Sequence, residues 1–165
     1  MEKITNKKLM EIVNKVNEMI PEDWSELYIN GNINDKEGSV FFYYKPKIGK
    51  KKWIYSNDLE RLFSDYSSEI FLENYLQLFD LFVSLQSLFK ESNQEIWSKV
   101  IIFVNEDMKF SSEFDYADWY NSEYVSYEYL DFFEHNYLKL PLQDISKEYF
   151  EEMKAFKERE NSKQK

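Results

Sequence analysis

The 165-residue sequence contains no cysteine, one histidine, three glycines and three prolines. Each scarcity removes a class of chemistry. Without cysteine there is no disulfide, no thiolate metal site and no cysteine nucleophile. With His135 alone, neither a histidine-built metal site nor a Ser-His triad can be assembled, and its place beside Glu134 reads as a solvated or hydrogen-bonded surface position. Gly31, Gly38 and Gly49 do not form a phosphate-cradling loop. No stretch approaches the ~20 apolar residues of a membrane span. The longest apolar region, residues 70–89, is interrupted by Glu73, Gln77, Asp80 and Ser84. No apolar run follows the N-terminal charges, so a signal peptide is not expected and the cytoplasm is the expected location.

Aromatic and acidic side chains are abundant instead. Phe, Tyr and Trp make up 19% of a chain that is 43% hydrophobic, enough to offset ordering entropy by burial. One domain over residues 1–160, with a frayed tail at 161–165, is the expected organisation. The net charge of −10 is unfavourable for nucleic acid and for anionic membranes, and favours basic partners through long-range steering. The charge is localised. Between residues 105 and 134 stand Glu106, Asp107, Glu113, Asp115, Asp118, Glu123, Glu128, Asp131 and Glu134, opposed only by Lys109.

Periodicity predicts an amphipathic helix over residues 6–20, with Leu9, Ile12, Val13, Val16, Met19 and Ile20 on one face and Pro21 ending it. Residues 27–33 and 39–44 read as strands joined by a hairpin through Asn34-Asp35-Lys36-Glu37-Gly38, with a third strand over 52–56. A turn-like patch over 57–68 precedes a helix over 69–91. That helix is apolar nearly all round, with Glu73, Gln77, Asp80, Ser84, Ser87 and Glu91 on one narrow wet stripe, so it is expected at the centre of the domain. Residues 100–104 and 109–116 form a second strand pair. In the latter, Phe110, Ser112, Phe114 and Tyr116 face one way, while Lys109, Ser111, Glu113 and Asp115 face water. A helix over 122–136 should turn Tyr127, Leu130, Phe133 and Tyr137 inward and Tyr124, Glu128, Asp131 and His135 outward, before Pro141 and a last helix over 144–160. The fold class is α+β: a mostly antiparallel sheet of about five strands packed with helices, in the order α-β-β-β-α-β-β-α-α.

Asp115 and Asp118 are the carboxylates that could hold Mg²⁺ or act as an acid-base pair. Catalytic pairs sit in clefts that perturb their pKa, whereas the alternation points these two to solvent. No enzymatic activity, metal or cofactor is expected. The acids share their segment with Tyr116, Trp119, Tyr120, Tyr124 and Tyr127. Aromatics among carboxylates suit a surface for a basic protein, since Tyr and Trp supply rigid contact area and carboxylates pair with Lys and Arg. Glu113, Asp115, Asp118, Trp119, Glu123, Tyr124, Glu128 and Asp131 are the expected partner-binding residues. An acidic core edge explains the same composition.

The order of several short motifs resembles the YezG-type immunity family, whose staphylococcal members are often encoded as tandem copies. The matching elements are Glu22-Asp23-Trp24-Ser25-Glu26-Leu27-Tyr28, Ser39-Val40-Phe41-Phe42-Tyr43-Tyr44 and Trp53-Ile54-Tyr55-Ser56-Asn57-Asp58. They continue with Leu78-Phe79-Asp80-Leu81-Phe82, Asn93-Gln94-Glu95-Ile96-Trp97-Ser98, Phe110 through Asp115-Tyr116, and Tyr137-Leu138 before Pro141. Tyr129, Phe133 and Lys139 depart from the family's usual Arg, Trp and Gly. The resemblance implies an immunity protein that binds the toxic C-terminal domain of a cognate secreted toxin, often a nuclease exported through a type VII system. Together with the net charge it points to a basic toxin domain as the expected partner, with no direct contact to nucleic acid or membrane. Oligomeric state is left open, a free monomer included. The alternative is an acidic nucleic-acid mimic that binds a host DNA-binding protein.

Overall fold

Leu9, Ile12, Val13, Val16 and Met19 recur every three to four positions, and in the computed structural model, which describes residues 1–163, they line the buried face of α1 (Glu2–Met19). The helix stops at Ile20, whose extended backbone is what the following Pro21 requires. Within the span expected to form one domain, the chain gathers into two compact units, Met1–Phe114 and Asp115–Lys165.

In the first unit, β1 (Trp24–Asn34) and β2 (Glu37–Pro46) form the expected hairpin, with Asp35 at φ +60° supplying the tight turn. The two-residue β3 (Ile54–Tyr55) follows, then a 3-10 turn over Ser56–Asp58 and the short α2 (Leu59–Leu62), where the sequence suggests only a turn. Next come α3 (Ser68–Glu91), β4 (Lys99–Asn105) and β5 (Phe110–Asp115), the last residue of which opens the second unit. The sheet runs β3-β2-β1-β4-β5 and its registered pairs are antiparallel, so the chain has the α+β fold expected from the sequence.

The register stacks Tyr44, Leu27 and Val104 across three strands, then Phe42, Ile29 and Ile102, then Val40, Gly31 and Val100. All are buried, on the face that α3 covers with its buried residues Leu78, Phe82, Leu85 and Phe89. Gly31 is required there by close approach: a Cβ would meet the Phe82 ring at 2.3 Å. Ser67 caps α3 by accepting from the Ile70 N–H at 3.1 Å. Because β3 pairs only with Tyr43 and Tyr44, side chains close the rest of the outer edge of β2. The Val40 N–H donates to the Tyr75 hydroxyl at 3.4 Å and the Phe42 N–H to Ser56 Oγ at 3.1 Å.

Several motif residues behind the family resemblance prove to be scaffold in this unit. Trp24 donates to Asn17 Oδ1 at 2.9 Å, and the buried Tyr44 hydroxyl donates to Glu22 at 2.7 Å. Burial, reinforced by that carboxylate, pushes the Tyr44 phenol well above its ordinary pKa, so it remains a donor. Trp97 is fully buried, and Gln86 ties α3 to the Trp97 carbonyl (2.9 Å) and the Ile33 carbonyl (3.0 Å).

The second unit holds α4 (Ser126–Leu138) and α5 (Lys147–Ser162), the latter capped by Ser146 accepting from Tyr149 N–H at 3.0 Å. Asn161 and Ser162, expected in a frayed tail, are the last residues of α5; positions 164–165 lie outside the described residues. The inward face of α4 also differs from expectation. Tyr129, Phe132 and Phe133 are buried, Asp131 is buried with them, and Tyr127 stands 61% exposed. The C-cap of α4 explains one departure from the family pattern. Lys139 sits at φ +61°, ψ +31°, a left-handed conformation that a glycine adopts without a Cβ penalty. Lys139→Gly is expected to stabilise the protein by about 0.5–1 kcal/mol. The urea midpoint should rise with the slope unchanged; a midpoint that stays or falls would show the lysine is better accommodated than its backbone suggests.

Candidate protein-binding surface

The acids that strand and helix patterning point to water divide sharply. Asp115 is 1% exposed. Its Oδ1 accepts from the Ala117 N–H at 2.9 Å and from Asn161 Nδ2 at 2.8 Å, and its Oδ2 accepts from the Trp119 indole at 2.8 Å. An Asp accepting from the N–H two residues on is an Asx turn, and here it fixes the first residues of the second unit. Trp119, expected on the partner surface, is 5% exposed and packs among Tyr124, Tyr129, Phe132 and Phe156 with ring centroids 5.0–5.9 Å away. Asp131, placed outward by the helix reading, is 4% exposed. It accepts from the backbone N–H groups of Gln143, Asp144 and Ile145 at 2.8–3.2 Å. Burial pushes its carboxyl up, but those three donors and the nearby His135 outweigh burial and hold it below the ordinary value. Its job is to close the α4–α5 connection.

Glu128 and Tyr124 are intermediate. Glu128 accepts from the Val125 N–H at 3.0 Å, capping α4, and from the Tyr149 hydroxyl. Burial, then that hydrogen bond, pushes the Tyr149 phenol up to about 12. Tyr124 is half-buried against Tyr149 and Phe156; burial, then Glu123, raises its pKa. Glu113 lies on β5 within the first unit, where its charge contributes to the raised pKa of Tyr28 after burial and Glu26.

Asp118 and Glu123 are the two expected residues that are exposed. They belong to a tightly tied loop. Asp118 accepts from the Asn121 backbone N–H at 3.2 Å and from its side-chain amide at 2.9 Å. Ser122 Oγ donates to the Trp119 carbonyl at 2.7 Å and accepts from the Tyr124 N–H at 3.2 Å. The loop thereby presents Tyr120 (61% exposed), Val125 (49%) and Tyr127 (61%) outward beside the two carboxylates. Periodicity places Tyr127 inward and gives Tyr120 no phase. A helix that begins at Ser126 rather than Ser122 leaves both in or next to the loop, and the Ser and Asn turn-formers at 121–122 are the sequence signal for that later start.

His135 is half-buried: its Nδ1 donates to the Leu140 carbonyl at 2.7 Å, and its ring meets Phe150 edge-on at 4.6 Å. Among the described residues, no group of three or more His, Asp and Glu side chains is arranged to hold a metal ion, and no helix is long and apolar enough to cross a membrane.

Residues 6–153 match the model of a family described as immunity protein YezG-like. The chain is 34% identical over 114 residues to the type VII secretion system protein EsaG of Staphylococcus aureus (strain NCTC 8325 / PS 47), covering 69% of each chain. It is 30% identical over 112 residues to the immunity protein YezG of Bacillus spizizenii (strain ATCC 23059 / NRRL B-14472 / W23), covering 68% of each. Against the immunity protein YezG of Bacillus subtilis (strain 168) it is 26% identical over 136 residues, 82% of this chain and 89% of that one.

Proposed function

The chain belongs to the YezG-like immunity protein family, and on that premise we propose that it acts in the cytoplasm as a non-enzymatic antitoxin, binding the toxic domain of a cognate secreted toxin, a basic nuclease, through the acidic-aromatic loop of its second unit. The observation that carries the reading is how closely that loop is hydrogen-bonded. The Asp115 anchor, the buried Trp119 and the Ser122 and Asp118 hydrogen bonds fix the backbone, so Tyr120, Val125 and Tyr127 meet a partner with little further ordering cost. The adjacent Asp118 and Glu123 carboxylates match Lys and Arg of a nucleic-acid cleft, and covering that cleft stops catalysis without any chemistry by the inhibitor.

The test is direct. The purified chain, mixed with the toxin domain encoded beside it, should abolish nucleic-acid cleavage at a one-to-one ratio. The association rate should fall at least about tenfold between 50 and 500 mM salt while dissociation changes much less. Cleavage that continues at saturating chain would defeat the antitoxin reading. Inhibition with a salt-independent on-rate would keep the antitoxin and remove the charged docking.

A further inference from the structure

The expectation that α3 lies at the centre of the domain is met on one side only. Its buried side packs on the sheet, and α1 lies along one flank, where Lys15 Nζ donates to Asn74 Oδ1 at 2.8 Å and to Gln77 Oε1. On the opposite flank the first two turns stand open among the described residues. Leu72, Leu76, Phe79 and Val83 follow one another at i, i+4, i+7 and i+11, a single stripe along the helix. Leu72 is 56% exposed and Leu76 51%. Directly beside them runs a second stripe, Glu69, Glu73 and Asp80, all exposed and none in an ion pair among the described residues. Ile70, 49% exposed, stands beyond that row.

We propose that this shoulder of α3 is a docking site for a basic amphipathic helix of a partner protein, its apolar face on Leu72 and Leu76 and its Lys or Arg residues against Glu69, Glu73 and Asp80. An exposed apolar stripe edged by charge of one sign is the half-interface that a helix-in-groove contact requires. The charge selects the occupant. A second copy laid helix against helix would set these acids against their own counterparts, on a chain that already carries −10. The chain's own basic apolar element, the loop with Lys47, Lys50, Lys51 and Lys52 around Ile48, offers one apolar side chain and is too small to cover two leucines one turn apart. The site belongs to the first unit, shares no residue with the surface proposed for toxin binding in the second, and does not depend on that reading.

The experiment uses the full chain and a fluorescein-labelled synthetic Leu/Lys peptide with heptad spacing, read by fluorescence anisotropy, beside a scrambled peptide of the same composition that has no apolar face. Binding of the amphipathic peptide should be saturable and at least about tenfold tighter than that of the scrambled one. It should weaken about tenfold in Leu72→Ser/Leu76→Ser and again in Glu73→Lys/Asp80→Lys. Because all four positions are exposed, folding is checked by thermal melting. Glu151→Lys/Glu158→Lys, an equal charge change on exposed positions of α5, should leave binding unaltered. Equal binding of the two peptides, or equal loss in the α5 variant, would reduce the effect to bulk charge and overturn the site. A dimer of the chain alone by sedimentation velocity, dissolved by Leu72→Ser/Leu76→Ser, would hand the shoulder to a second copy and overturn the proposed partner.

Discussion

Asp118→Lys combined with Tyr127→Ala is expected to weaken binding of the toxin domain about a thousandfold or more, with little change in unfolding midpoint. A tyrosine at the centre of an interface commonly contributes about 2 kcal/mol, and reversing a carboxylate that faces a basic partner costs a further 1–3 kcal/mol. Together they reach roughly 4 kcal/mol, which is three decades of affinity. The fold should survive because Tyr127 is 61% exposed and the Asp118 carboxylate bonds, among the described residues, within its own turn to Asn121. Surface plasmon resonance on immobilised toxin domain, paired with a cleavage assay, measures both consequences. The Lys substitution should act on association and the Ala substitution on dissociation. A folded double variant that still binds within threefold of the parent would place the interface elsewhere on the chain.

Tyr127 is harder to place than the fold because of what a sequence pattern encodes. The first helix, the hairpin, the long third helix and the β4–β5 pair are legible because periods of 3.6 and 2 are imposed by burial, and Leu9 to Met19 or Leu27 to Ile33 display them without competition. The fourth helix carries aromatics on opposite sides, Tyr127 on one and Tyr129, Phe132 and Phe133 on the other, so the pattern allows two phases. Packing against Trp119 and Phe150 selects the second.

The acids illustrate a deeper limit. A carboxylate must be hydrated or bonded, and composition does not say which. Asp115 has one local sign of burial, an N–H two residues on within reach of an Asx turn. Asp131 has none. Its donors are backbone amides 12 to 14 positions later, and a backbone amide leaves no residue-type signature. The family motifs, for their part, mark scaffold such as Trp24, Tyr44, Ser56 and Trp97, which makes the fold recognisable without pointing to the surface that binds.

Asp131 therefore carries a large expected stability effect. Asp131→Ala strips the acceptor from three N–H groups in the α4–α5 connection and should cost roughly 2–4 kcal/mol, a large share of the ~5–15 kcal/mol that holds a protein of this size folded. Asp131→Asn keeps the shape and one carbonyl oxygen, so its loss should be about half as large. The pH dependence separates this role from simple packing. The folded-state pKa lies below the ordinary carboxylate value near ~4, so the contribution is complete above that value and is lost as pH falls through the lower folded one. Urea unfolding of the parent and of Asp131→Asn should thus differ by a constant amount from neutral pH to about pH 5. The gap should then narrow in stronger acid as the parent's carboxyl takes up its proton. A gap indifferent to acid would mean the charge is not what the three amides hold. Amide exchange at Gln143, Asp144 and Ile145 should accelerate in the same variants. Toxin affinity measured on the folded fraction should stay near the parent's, since a carboxylate that is 4% exposed has no partner to meet. In this way acidity is divided in the second unit between the inner carboxylates Asp115 and Asp131, which shape the chain, and the outer pair, Asp118 and Glu123, which remain exposed.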